Sequence, residues 1–197
     1  MYKKLGMYSS FITFISVLAY AIILLFISIF NLENILNTGI YFISFFIGFG
    51  TILMFYSYFS FMKDEDKICG LIALIISIVY SILFILLHFR LYFKIHINDI
   101  YFELFIKMKI FGYVLLSVST MFIGFTLKMN NKKEKLMKLL MYLHFIFGLC
   151  FFIILFEMLL NLGFIINIDY RLIIKFWCIY FSLICFLSFI YFKNKLT

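Results

Sequence analysis

The chain has 197 residues, of which 66% are hydrophobic and 23% aromatic, and its mean hydropathy is +1.16. Soluble domains are about 45–50% apolar, so this composition excludes an ordinary water-soluble fold. The net charge of +8 is spread over short segments between apolar runs, a distribution that indicates membrane topology rather than nucleic-acid binding.

Six apolar runs follow one another, and each is about as long as the 20 residues that a helix needs to cross a bilayer. The predicted transmembrane helices span about 8–30, 40–62, 67–92, 100–127, 136–162 and 173–192. The sequence therefore predicts an all-α polytopic membrane protein, a bundle of six transmembrane helices. We expect a single transmembrane domain over residues 1–197, with the lipid bilayer as its main surroundings.

The first apolar run follows two lysines, an arrangement that also occurs in secretory signal peptides. The run from Phe11 to Phe30 is longer than the 7–15 apolar residues of a signal peptide, and no small-x-small cleavage site follows it. We therefore expect it to be the first membrane helix.

Basic residues predict the orientation of the bundle. One side would hold both termini and the connections between helices 2 and 3 and between helices 4 and 5, with eleven lysines: Lys3, Lys4, Lys63, Lys67, Lys128, Lys132, Lys133, Lys135, Lys138, Lys193 and Lys195. The other side would hold six basic residues: Arg90, Lys94, Lys107, Lys109, Arg171 and Lys175. The positive-inside rule then predicts an N-in/C-in, multi-pass protein of a cell membrane, the cytoplasmic membrane if the source is bacterial.

Small residues recur at helical spacing on five of the six helices. Because lipid gives no hydrophobic drive for helices to associate, small residues that allow close approach are expected at their contacts. We predict contact faces, with lining of a polar path as the alternative, at Ser9, Thr13, Ser16 and Tyr20; Ser44, Gly48 and Thr51; Gly70, Ala73, Ser77 and Ser81; Ser117, Thr120 and Gly124; and Cys178, Ser182 and Cys185. All four cysteines are interpreted as small packing residues.

Glu157 is the strongest candidate for a functional polar residue, because it interrupts the long apolar run of helix 5. A carboxylate in hydrocarbon must be protonated, paired or close to water. Asn161 lies one turn further on the same face, and Arg90 and Arg171 are predicted on the same side of the membrane. These four residues form a candidate transport site, with a structural ion pair as the alternative. His144 is expected near the membrane interface, on the opposite face of helix 5.

The connection between helices 3 and 4, which begins at His88, is the longest polar segment. His96, Asp99 and Glu103 would share one helical face and are weak candidates for a metal site. The favoured alternative is an interfacial amphipathic helix with a Glu103–Lys107 pair, so no metal or cofactor is predicted.

A basic run between helices 4 and 5 could attract anionic lipid. Its members are Lys128, Lys132, Lys133 and Lys135. A role in fixing the topology is the alternative. The acidic turn at 64–66 is interpreted as a solvated cap on helix 3.

Helices 2 to 4 resemble uncharacterised six-helix integral membrane proteins of bacteria. The similarity rests on Asp64-Glu65-Asp66-Lys67, Gly70-Leu71-Ile72-Ala73, Tyr80, Tyr92 and Phe111-Gly112-Tyr113. This resemblance implies an architecture and no chemistry. In size and helix number the chain also resembles the substrate-binding subunits of energy-coupling-factor vitamin importers, without their small-x-x-x-small pattern on the first helix.

No nucleotide-binding, nucleophile–base or His-Glu-x-x-His pattern occurs, so an enzyme is not indicated. The sequence favours a binding or accessory membrane subunit, associated with another membrane protein or with a second copy of itself. The alternative is a small permease with a polar cavity around Glu157.

Overall fold

The fold is all-helical over the residues that the computed structural model describes, which are 1–30, 33–92, 99–128, 131–160 and 170–196. Side chains are described for 1–30, 39–89, 103–128, 131–160 and 172–196. The helices are α1 (Tyr2–Phe30), α2 (Glu33–Phe59), α3 (Lys67–Tyr92), α4 (Asp99–Thr126), α5 (Lys132–Leu160) and α6 (Tyr170–Asn194), and a short 3₁₀ turn (Asp64–Asp66) precedes α3.

The helix boundaries differ from the predicted spans mainly in the first two helices. Helix α1 begins at Tyr2 rather than near residue 8, and α2 covers Glu33–Phe59 rather than 40–62. Both helices begin with polar turns, which are helical but were excluded from spans predicted by hydropathy. At the other end of α2, the amides of Phe61 and Met62 bond three residues back, so the chain has already left the α-helix there.

The six helices form a ring in chain order. Each helix packs against the next, and α6 returns to pack against α1. Both termini and the α2–α3 and α4–α5 connections meet at one end, where Lys3, Lys63, Lys128 and Lys195 line a common cavity. The predicted grouping of these four segments is therefore confirmed. We call this end the terminal end.

The outer surface of the ring is apolar. In the described part of the chain, six helices of 21 to 29 residues are long and apolar enough to cross a membrane. On α3, for example, Leu71, Ile75, Val79 and Leu86 are exposed large apolar side chains. This architecture fits a membrane-embedded, multi-pass protein.

The predicted contact faces are buried on all five helices. Several of their hydroxyls bond to carbonyls one turn earlier, as Thr51 does to Ile47 at 2.6 Å, whereas the hydroxyls of Ser81 and Ser117 have no such partner. A Cβ on Gly48 would lie 2.7 Å from Ile85, and one on Gly148 would lie 2.6 Å from Ser117, so neighbouring helices approach too closely for larger residues. These faces are therefore buried between helices, and Tyr20, Ser81 and Ser117 among them keep a polar atom without a hydrogen-bond partner.

The cysteines divide into two groups. Cys178 and Cys185 are buried, as the packing interpretation predicts, and Cys69 is half-buried. Cys150 is exposed on the outer surface of α5, so the packing interpretation is wrong for this residue. Helical spacing explains the error, because Cys150 lies two residues after the buried Gly148 and therefore on another side of the helix.

Candidate functional site

Only part of the predicted transport site lies within the described residues. The Glu157 side chain is half-buried near the end of α5 and makes an interaction of its own. Asn161 and the side chains of Arg90 and Arg171 lie outside the described residues. The four-residue transport site therefore stays a prediction.

The predicted metal-binding face is described at only one of its three residues. Glu103 is exposed and pairs with Lys107 at 2.6 Å, which confirms the expected i,i+4 pair on α4. His96 and the side chain of Asp99 lie outside the described residues. Among the side chains that are described, no three potential metal ligands come together.

The basic run at the start of α5 is exposed to solvent. Lys128, Lys132, Lys133 and Lys135 all lie at the terminal end. They do not form one surface group, because Lys128 turns into a cavity that also contains lysines from other segments. We call this cavity the lysine pocket, and it is lined by Lys3, Lys63, Lys128, Lys195, Asp66 and Glu134 together with apolar groups.

A second polar region lies inside the ring. The sequence placed Tyr20, Ser81 and Ser117 on contact faces, with a polar path as the alternative, but did not group them with its other members. Eight buried side chains each have a polar atom without a hydrogen-bond partner, and we call them the inner cluster: Tyr20, Tyr80, Ser81, His88, Tyr113, Ser117, His144 and Trp177. They come from α1, α3, α4, α5 and α6. Buried polar groups are normally satisfied, so eight such atoms in one bundle interior need a physical explanation.

Aromatic contacts connect the inner cluster through the bundle. The ring centroids of Tyr20 and His88 are 6.3 Å apart, and Phe84 lies 4.3 Å from His88. Phe84 lies 6.2 Å from Tyr113, whose ring is 4.4 Å from Trp177. Tyr80 lies 5.3 Å from Phe84, and His144 lies 5.7 Å from Trp177. The six aromatic members are therefore one continuous region, whereas Ser117 lies at the contact with Gly148 and Ser81 lies near Gly48.

The hydrogen bonds of His144 determine which ring nitrogen carries the proton. The Thr120 hydroxyl donates to the Ser117 carbonyl at 2.8 Å, so its oxygen accepts from His144 Nδ1 at 2.6 Å. In the neutral imidazole, Nε2 is then an acceptor. The indole of Trp177, which can only donate, lies 5.7 Å from this ring.

The same reasoning applies to His88 on α3. Its Nδ1 lies 2.7 Å from the Phe84 carbonyl, which can only accept, so Nδ1 carries the hydrogen. Nε2 is again an acceptor without a partner, and the tyrosine hydroxyl of Tyr20 is the neighbouring donor without one. Each histidine therefore has an unpartnered lone pair on Nε2, and a residue able to donate lies nearby: Tyr20 for His88 and Trp177 for His144.

These positions correct two expectations. His144 is fully buried between α4 and α6 and is not interfacial. It lies twelve residues after the start of α5, about 18 Å along the helix axis at 1.5 Å per residue. His88 belongs to the buried face of α3 and not to the connection after it. The error for His144 arises because α5 begins at Lys132 rather than near residue 136. His88 already lies inside the predicted span of helix 3, which the structure reproduces, so its polarity alone suggested the connection.

Lys109 brings a positive charge to the edge of the inner cluster. It was counted with the charges outside the membrane, but it is half-buried within the apolar part of α4. Its Nζ lies 5.9 Å from the centroid of the Tyr20 ring. The sequence contained a sign of this position, because Lys109 lies ten residues after the start of α4. A basic residue inside a membrane span is rare and often marks a functional site.

Comparison with known proteins adds no functional information. No family model, curated protein or solved structure matches this chain. The resemblance of helices 2 to 4 to uncharacterised bacterial membrane proteins therefore stays a prediction.

Proposed function

We propose that this chain is a multi-pass membrane protein that binds a small, uncharged, hydrogen-bonding ligand within its helix bundle and acts as a binding or accessory subunit. The inner cluster is the observation that carries this proposal. Its unpartnered acceptors are the Nε2 atoms of His88 and His144, and the indole of Trp177 is an unpartnered donor.

The chemistry of the inner cluster selects the class of ligand. Tyrosine hydroxyls can donate and accept, whereas the indole N–H only donates. A neutral molecule with both kinds of group would satisfy them without bringing a charge into a low-dielectric interior. A ligand held only by apolar packing would leave these atoms unsatisfied.

The ligand can be sought by purifying the full chain in a mild detergent and identifying small molecules that remain bound. Tyr113→Phe removes one hydroxyl from the centre of the inner cluster and keeps the ring. Tyr8→Phe is the matched control, because Tyr8 is 59% exposed on the outer surface. We expect a bound species in the wild type and in Tyr8→Phe that is depleted in Tyr113→Phe.

The fluorescence of Trp177 provides a second measurement of ligand binding. It is the only tryptophan of the chain and lies within the inner cluster, so release of the ligand should change its fluorescence emission. Equal retention in both tyrosine variants, or no retained molecule in the wild type, would contradict the proposal.

A permease is the second candidate function. It is favoured by the half-buried carboxylate of Glu157 within the apolar part of α5. Glu157→Gln should then abolish uptake of a solute by cells without lowering the amount of protein. An accessory subunit should tolerate this change and keep its partner.

A further inference from the structure

The lysine pocket at the terminal end has the shape of a ligand site. Its volume is about 300 Å³. Four lysines line it from four separate segments: Lys3 near the start of α1, Lys63 between α2 and α3, Lys128 between α4 and α5, and Lys195 just after α6. The fold, and not a local sequence motif, therefore brings these charges together.

Positive charge exceeds negative charge in the lysine pocket. Four ammonium groups face two carboxylates, Asp66 and Glu134. The Glu134 carboxylate is nearly buried, and its Oε1 lies 3.7 Å from the ammonium of Lys195. When Glu65, whose carboxylate lies 3.9 Å from Lys128, is counted as well, four lysines still face only three carboxylates. The pocket is therefore complementary to an anion.

Lys63 and Lys128 are held close together at the edge of the pocket. The proximity of Lys63, together with desolvation, lowers the pKa of Lys128. Glu65 moderates the repulsion, because its Oε1 lies 3.9 Å from Lys128 Nζ. An anion between the two lysines would reduce the remaining repulsion between their ammonium groups.

The floor of the pocket is apolar and aromatic. The rings of Tyr58 and Tyr191 stack there with centroids 5.7 Å apart, and Phe61 and Met62 also contribute. The Tyr58 hydroxyl donates to Met137 on α5 at 3.5 Å and is therefore held below the lysines. A cationic edge above an apolar floor suits an anionic head attached to a less polar body.

We propose that the lysine pocket binds a phosphate group, carried by an anionic lipid headgroup or by a small soluble molecule. A phosphate has two anionic oxygens in a phosphodiester headgroup and three in a phosphomonoester, and each oxygen has more than one lone pair, so Lys3, Lys63 and Lys128 can all donate to it. The site is distinct from the inner cluster and does not depend on the ligand proposed there. It also differs from the basic run of the sequence, since only Lys128 belongs to both.

The test compares two double variants of the full chain, purified in a non-ionic detergent. Lys63→Gln/Lys128→Gln removes two charges from the pocket. Lys132→Gln/Lys135→Gln removes two exposed charges at the same end of the bundle, from residues that do not line the pocket. Binding of inorganic phosphate is measured by titration calorimetry, and binding of dioleoyl phosphatidylglycerol by native mass spectrometry.

We expect the pocket variant to bind at least about tenfold more weakly, because it loses two charged hydrogen-bond donors. The control variant should stay within about twofold of the wild type, since isolated exposed charges contribute little. Lys63→Arg/Lys128→Arg retains both charges and should retain binding. This third variant separates the loss of charge from a general loss of structure.

The two probes distinguish the source of the phosphate. Binding of both supports recognition of the phosphate group itself, binding of the lipid alone supports a headgroup, and binding of inorganic phosphate alone supports a soluble ligand. The proposal is overturned if the wild type binds neither probe. It is also overturned if the two glutamine variants lose affinity equally, or if the arginine variant loses as much as the pocket variant.

Discussion

The outer surface of this bundle carries large apolar side chains, whereas the interior mixes apolar and polar ones, and α3 shows both. Its exposed side carries large apolar residues such as Ile75 and Val79, whereas its buried side carries Ser77, Ser81 and His88. In a water-soluble bundle the apolar side would face inward. The difference indicates that hydrocarbon surrounds the outside, and that close packing and hydrogen bonds hold the inside together.

The same substitution on the two sides of α3 should give the largest contrast. Ser77→Phe places a large ring on a face with no exposure, next to the seam with α4. Overpacking typically costs about 1–3 kcal/mol, and a phenylalanine in place of serine should be at the upper end or beyond. We expect little or no folded protein to accumulate in the membrane, as measured by size-exclusion chromatography in detergent.

Ile75→Phe provides the control on the outer side. Ile75 is 52% exposed, so the larger ring meets lipid rather than another helix. Its accumulation should match the wild type. If both variants accumulate equally, Ser77 does not face a neighbouring helix while Ile75 faces lipid, and the proposed contrast is wrong.

A smaller effect is expected from a single interior hydrogen bond. Thr120→Val removes the acceptor for His144 Nδ1 and keeps the shape of the side chain. Hydrogen bonds between membrane helices contribute about 0.6–2 kcal/mol, so unfolding in a denaturing detergent should become easier by about that amount. Thr126→Val is matched to it, because Thr126 bonds only to the Ile123 carbonyl within α4. Equal destabilisation by both changes would argue against an interhelical role for Thr120.

The sequence allows prediction of the features that depend on one helix at a time. The number of helices, the contact face of Ser77 and the pair between Glu103 and Lys107 all follow from hydropathy and spacing along one segment. The grouping of both termini with Lys63 and Lys128 also follows, because six consecutive crossings must alternate in direction.

The two polar sites could not be predicted because each combines residues from several helices. Tyr20, His88 and Trp177 become neighbours only after α6 has closed the ring against α1. Spacing within one helix carries no information about that closure. Lys109 was placed outside the membrane because of its charge, although the predicted start of helix 4, near residue 100, agrees with the observed start at Asp99.

The most direct test of the contrast between outside and inside uses the exposed Cys150. A variant that keeps only this cysteine is reconstituted in lipid vesicles and treated with a water-soluble maleimide. Thiols react as thiolates, which hydrocarbon suppresses. The comparison is a variant whose only cysteine is Lys132→Cys, at the exposed start of α5. We predict that Cys150 is labelled at least about tenfold more slowly than this cysteine. Both variants should be fully labelled after unfolding in dodecyl sulfate. Equal rates at the two positions in intact vesicles would place the apolar surface of α5 in water and contradict the account.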